Sequence, residues 1–174
     1  MNKQKIIILG ILIVLITIMA VTYSLNKENL DSRVELNNDS KFIVKVNSEE
    51  IKTFTLLELK EFGSVDFEAN LKTNGKEAVK HMYTGILLRE VYDSLDINYN
   101  NFSALEVTAT DGYVVMVDIK KLIQDNNIYL AYKRDGEVIK SMEDGGKGPI
   151  QMIISKDTIS QYWCKYAISS DLKE

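Results

Sequence analysis

Residues 105–117 read LEVTATDGYVVMV, and this stretch decides the fold class. Its two halves are rich in Val, Thr and other residues that favour strands, and Asp111-Gly112 stands between them. An Asp-Gly pair is a strong signal for a tight turn, because glycine adopts the positive φ angles that such turns require. The stretch therefore predicts an antiparallel β-hairpin.

Further strand signals surround this hairpin. Residues 42–46 and 65–71 alternate apolar and polar side chains, as half-buried strands do. Asp135-Gly136 indicates a second hairpin, and turn formation explains both aspartates without a catalytic role. The other predicted strands are 51–54, 128–133, 137–140, 150–155 and 163–168.

Three short helices are predicted between these strands. Residues 55–58 (TLLE) have the spacing of a capping box and open a helix that stops at Gly63. Thr84 is predicted to cap a helix over residues 85–95, and Asp118 to cap one that ends at Ile123. The sequence thus predicts a mixed α+β domain whose strands are mostly antiparallel.

The N-terminal segment differs in kind from the rest. Lys3 and Lys5 precede an uncharged, mostly apolar run from Ile6 to Leu25. About 20 apolar residues suffice for a helix to cross a bilayer, and the small residues around positions 20–24 are poorly spaced for signal-peptide cleavage. We therefore predict an uncleaved transmembrane anchor, with a cleaved signal peptide as the alternative.

The predicted organisation follows from this anchor. Positively charged residues stay on the cytoplasmic side, so Lys3 and Lys5 predict a cell-membrane protein whose C-terminal domain is extracytoplasmic. The predicted parts are the anchor (1–25), a polar linker (26–40) and a folded domain (41–174).

Composition excludes several classes of function. The chain has 174 residues, and a single cysteine rules out a disulfide scaffold or a cysteine-cluster zinc site. A single histidine rules out a multi-histidine metal centre. The net charge of −4 gives no support for nucleic-acid binding.

Few residues are candidates for chemistry. His81 with Glu77 is either an acid–base pair or a solvated residue near a turn, and we favour the second interpretation. Cys164 is interpreted as a buried thiol, because only one histidine exists to activate it. The glycine-rich loop 145–148, which contains Lys147, is either an anion-binding loop or a plain mobile loop.

The order of motifs resembles the molybdopterin-binding domain of the sulfite oxidase family. Residues 83–91 (YTGILLREV) are similar to the family's aromatic-x-Gly-Val-Pro-Leu run, and residues 107–113 (VTATDGY) to its hairpin. Residues 145–154 and 162–168 resemble its Gly-Gly-Pro-Leu-Arg strand and the Lys-Trp strand that follows. The resemblance covers about residues 41–170 and implies the family's fold.

The resemblance also implies where a cofactor would lie. It assigns cofactor-binding positions to Lys147, Gly148, Gln151 and Lys165, with glutamine standing where the family has an arginine. The family's enzymes hold molybdenum through one cysteine thiolate, but the matching strand end here, residues 71–75 (LKTNG), has no cysteine. We therefore assign no catalytic residue and no metal ligand.

These departures set the functional expectation. We expect a membrane-anchored, molybdopterin-binding-like domain without molybdenum redox catalysis that binds a small ligand or a partner protein. The alternative is a molybdopterin-dependent oxidoreductase or electron-transfer component at the cell envelope. A third interpretation is an envelope interaction module in which the pocket has lost its role.

Overall fold

The protein divides into two units. The computed structural model describes residues 3–72 and 77–174, without the side chains of residues 3–7, 9, 26 and 28–36. The first unit ends at Leu36, and the second is Asn37–Glu174.

The first unit is helical. Helix α1 (Lys3–Asn38) continues through most of the segment predicted as a polar linker, so most of that segment is helical. Residues 26–38 contain neither glycine nor proline, and nothing therefore interrupts the helical hydrogen bonds. The large apolar side chains from Ile11 to Leu25 are more than half exposed. Within the described residues, no helix has the combined length and apolarity needed to cross a membrane.

The second unit contains two five-stranded sheets. The first sheet has the order β2-β1-β10-β5-β6, in which only the β1–β10 pair is parallel. Its strands are β1 (Lys41–Val46), β2 (Glu49–Thr55), β5 (Ala104–Ala109), β6 (Val114–Asp118) and β10 (Ala167–Lys173).

The second sheet is entirely antiparallel. It has the order β3-β4-β7-β8, and β9 also pairs with β7. Its strands are β3 (Val65–Leu71), β4 (Val79–Leu87), β7 (Ile128–Arg134), β8 (Glu137–Val138) and β9 (Gln151–Ile154). The prediction of a mixed α+β fold with mostly antiparallel strands is thereby confirmed.

Three short helices connect the strands. They are α2 (Leu56–Glu61), α3 (Leu88–Asp93) and α4 (Ile119–Ile123). The predicted capping box is present, since the Thr55 hydroxyl accepts from the Glu58 amide while the Glu58 carboxylate accepts from the Thr55 amide. The Asp118 carboxylate accepts from the Lys120 amide and caps α4, as predicted.

The predicted helix over residues 85–95 was wrong in its first half. Residues up to Leu87 belong to β4, whose backbone is paired with β3 on one side and with β7 on the other. Thr84 is therefore not a helix cap: its hydroxyl donates to Asp66 Oδ1 over 2.6 Å. Strand pairing on both sides outweighs the local signal for a helix.

The last predicted strand lies several residues too early. Tyr166 has a positive φ of 55°, which breaks the extended path before β10 begins at Ala167. Cys164 instead forms an isolated bridge with Met152.

The core contains fully buried side chains from both sheets, among them Phe42, Val44, Leu105, Ile86, Leu130 and Ile154.

Candidate functional site

Aromatic side chains cover one face of the second sheet. The rings of Phe67 and Tyr129 are stacked with centroids 3.9 Å apart, and Tyr83 contacts Trp163 edge to face at 5.8 Å. Burial raises the pKa of the Tyr83 hydroxyl, and the nearby Arg134 guanidinium opposes that rise. Arg134 is the last residue of β7 and is the register partner of Tyr83 on β4.

Two predicted cofactor-binding residues meet beside this arginine. Lys147 is half-buried, and its pKa is lowered first by burial and then by the positive charges of Lys165 and Arg134. Among the described residues, none of these three side chains forms an ion pair with a carboxylate. We call Arg134, Lys147 and Lys165 the cationic site.

The loop that carries Lys147 is held in place by Tyr166. The Tyr166 hydroxyl donates to the Gly146 carbonyl over 2.9 Å, and its amide donates to the Lys147 carbonyl over 3.0 Å. Both interpretations of residues 145–148, an anion-binding loop and a plain mobile loop, remain predictions. These bonds fix the Lys147 backbone within the cationic site.

Two glycines of the loop are required by close backbone packing. A Cβ atom on Gly148 would lie 2.7 Å from the Ile139 carbonyl oxygen, and one on Gly146 would collide with the backbone of Lys140. Both positions therefore need glycine because another chain segment passes close by. The predicted cofactor-binding role of Gly148 remains a prediction.

Gln151 lies deeper in the fold than the cationic site. It begins β9, pairs with Ala131 and is only 2% exposed. Its cofactor-binding role also remains a prediction.

His81 is paired with a carboxylate of the turn that follows β7. Its Nδ1 lies 2.7 Å from Asp135 Oδ2, so the carboxylate beside it is not Glu77, the partner in the interpretation that we did not favour. Asp135 Oδ1 also accepts from the Met82 amide over 3.1 Å, and the hydrogen bond from His81 is the main cause that lowers the pKa of Asp135. Asp135 therefore does more than form a turn, because it ties that turn to β4.

The donor set does not fit a molybdenum centre. Cys164 is fully buried, and burial raises the pKa of its thiol to about 12. A thiol in that state is not the thiolate that binds a metal. The matching family position, around Thr73 and Asn74, lies outside the described residues. No group of three His, Cys, Asp or Glu side chains in the described part of the chain is placed to hold a metal ion.

Arg134 is a site residue that the sequence did not indicate. It stands beside Asp135-Gly136, which turn formation explains, and its neighbours Lys147 and Lys165 are distant in sequence. Only the pairing of β7 with β4 and the closure of the loop bring the three cations together. No local motif could have indicated that arrangement.

Comparisons with known proteins extend only to the fold. No family model matches the chain, and no curated protein matches it. Among solved structures, it is similar to the sulfane dehydrogenase SoxCD from Paracoccus pantotrophus, with a TM-score of 0.62 and 13% sequence identity. The match covers 79% of this chain but only 39% of that chain. The likeness shows that most of this chain shares the fold of part of that protein.

Proposed function

We propose that this protein is a binding domain without molybdenum redox catalysis, and that its ligand is a small anion or the anionic group of a partner. The observation that carries the proposal is the cationic site. Arg134, Lys147 and Lys165 come from three separate segments and converge without a carboxylate paired to them among the described residues.

Holding these cations together costs free energy. Like charges repel, and the half-buried Lys147 also loses hydration, which is why its pKa falls. A bound oxyanion would relieve both costs, since charge-assisted hydrogen bonds from lysine and arginine to oxyanions are roughly twice as strong as neutral ones. A lysine whose pKa is lowered by burial and by neighbouring cations is a candidate for a functional site.

Inorganic phosphate and sulfate are the probes that test this proposal. We expect at least one of them to bind the full chain in isothermal titration calorimetry and to raise its melting temperature. Lys147→Ala and Arg134→Gln are each expected to weaken binding roughly 10- to 100-fold, because each removes a charged hydrogen bond worth about 1.5–3 kcal/mol.

Lys120→Ala is the matched control, since Lys120 is an exposed lysine on α4. It is expected to leave the affinity within about twofold of the unmodified protein. Absence of binding for both anions, or equal loss in the control, would contradict the proposal.

We also propose that residues 6–25 attach the protein to the cell membrane, with the second unit on the extracytoplasmic side. Two observations support this attachment. The segment has no charged residue, and its large apolar side chains from Ile11 to Leu25 are more than half exposed on α1. Apolar surface of this extent is unfavourable in water and favours a lipid environment.

Alkaline carbonate extraction of membranes tests the attachment. The full chain is expected to stay in the membrane pellet, and the double variant Ile13→Lys, Leu15→Lys is expected to move largely to the soluble fraction, because charge in hydrocarbon is costly. Leu57→Lys is the control, since Leu57 is an exposed apolar residue of α2. Full release of the unmodified chain would overturn the attachment.

A further inference from the structure

The two edges of the first sheet differ in their protection against pairing. Strand β2 forms one edge and carries Glu49, Glu50 and Lys52, which discourage contact with another strand. Strand β6 forms the other edge, and no charged residue occurs in residues 112–117. The one charged residue of β6 is Asp118 at its end, and an edge that is apolar over the rest of its length is a template for a further strand.

The hydrogen bonds of the β5–β6 hairpin show which backbone groups point outward. The Ala109 amide donates to the Tyr113 carbonyl over 2.8 Å, so this pair is hydrogen-bonded across the ladder. In an antiparallel ladder every second pair is of this kind. Val115 and Val117 therefore bond to β5, while the N–H and C=O groups of Val114 and Met116 face the open edge.

The side chains along this edge are also unprotected. Val114 and Met116 are 48% and 54% exposed, whereas Val115 and Val117 are buried in the core. In the part of the chain that the structure describes, the outward backbone groups of Val114 and Met116 have no hydrogen-bond partner. The edge thus offers two donors and two acceptors beside two apolar side chains.

We propose that β6 pairs with β6 of a second copy of this chain, antiparallel and about a twofold axis at Val115. In this register Val114 of each copy lies opposite Met116 of the other, so that the outward groups of both strands form four backbone hydrogen bonds. The first sheet of one copy and the first sheet of the other then become one continuous sheet of ten strands.

Charge and shape favour a second copy as the occupant. In the same register Asp118 lies opposite Gly112 of the second copy, and Asp111 lies opposite Ile119, so no carboxylates face each other. A cavity of about 210 Å³ adjoins the edge and is lined by Met116, Val117, Asp118, Lys121, Ile154 and Tyr162. Tyr113 of the second copy, whose side chain is half exposed, lies opposite Val117 and is placed to enter this cavity.

Sedimentation of the full chain in detergent tests the pairing. We expect a dimer, and we expect Met116→Lys to raise its dissociation constant at least about tenfold, because lysine charges would adjoin an apolar strand. Ile51→Lys is the matched control: Ile51 is 44% exposed on β2, the opposite edge, and its variant should dimerise normally. Thermal unfolding of each variant checks that the fold is retained.

Disulfide cross-linking tests the register. A mixture of Val114→Cys and Met116→Cys chains is expected to form far more cross-linked dimer than either variant alone, because only unlike positions face each other. A monomer, a dimer unaffected by Met116→Lys, or equal cross-linking in all three samples would overturn the proposal. If α1 alone held the dimer, Met116→Lys would leave the dimer unaffected. If the β6 edge bound another protein instead, the chain would be a monomer.

Discussion

Gly85→Ala is expected to lower the free energy of unfolding by about 3 kcal/mol, at the upper end of the cost of overfilling a packed interior. A Cβ atom at this position would lie 2.7 Å from the Leu130 carbonyl oxygen and 2.9 Å from the Ala131 Cα atom. Both neighbours are backbone atoms of the central strand β7, so neither can move without disturbing the sheet. Urea unfolding followed by circular dichroism measures the change.

Replacement of a second glycine is the control that distinguishes the collision at Gly85 from the general cost of replacing a glycine. Gly145 has a positive φ of 73°, and a Cβ atom added there would meet no other atom within 4 Å. Gly145→Ala therefore carries only the conformational cost, about 1 kcal/mol. The loss in the free energy of unfolding is expected to be roughly three times larger for Gly85→Ala than for Gly145→Ala. Equal losses in the two variants would show that backbone contact at Gly85 is not the cause.

The same position determines the geometry of the cationic site. The β4–β7 register shifts between Thr84 and Gly85, so that Thr84 pairs with Lys133 and Gly85 pairs with Ala131. Without this bulge, Tyr83 would not be the partner of Arg134 at the end of β7. The close approach at Gly85 therefore links the packing of the sheet to the position of an arginine that we assign to ligand binding.

The parts of the fold that follow local rules were predictable from the sequence. The hairpin at Asp111-Gly112, the capping box at residues 55–58 and the cap at Asp118 each depend on residues within a few positions of one another. Strand β4 was missed because its pairing partners lie on strands distant in the sequence, and its apolar pattern near Leu87 also fits a helix. Long-range pairing decides such ambiguous segments.

The candidate site was predictable only in part. Lys147 and Lys165 were found through the resemblance, and the structure brings them together. Arg134 and the contact between His81 and Asp135 depend on the fold of β7 and its turn against β4. Turn formation explained Asp135 so completely at the sequence level that its second role as a hydrogen-bond acceptor could not be inferred.

Burial of Cys164 is expected to change the rate of its alkylation more than any other prediction changes the quantity that it concerns. Alkylation of Cys164 by iodoacetamide at pH 8 is expected to be about 1000-fold slower in the folded protein than in urea, since an ordinary thiol ionises near pH 8.5. In the folded protein burial raises the pKa of this thiol to about 12.

The same thiol explains why molybdenum should be absent. Full chain purified from a host that makes molybdenum cofactor is expected to retain less than about 0.1 molybdenum per chain, because Cys164 is the single cysteine of this chain and its thiol is buried, with a pKa that burial raises. A cysteine-ligated molybdenum enzyme from the same host is the control for cofactor supply. Molybdenum near one per chain, together with slow alkylation of Cys164, would require a ligand other than this thiol and would restore the oxidoreductase alternative. Rapid alkylation with no molybdenum would instead show that the thiol is accessible, and the absence of metal would then need another cause than burial.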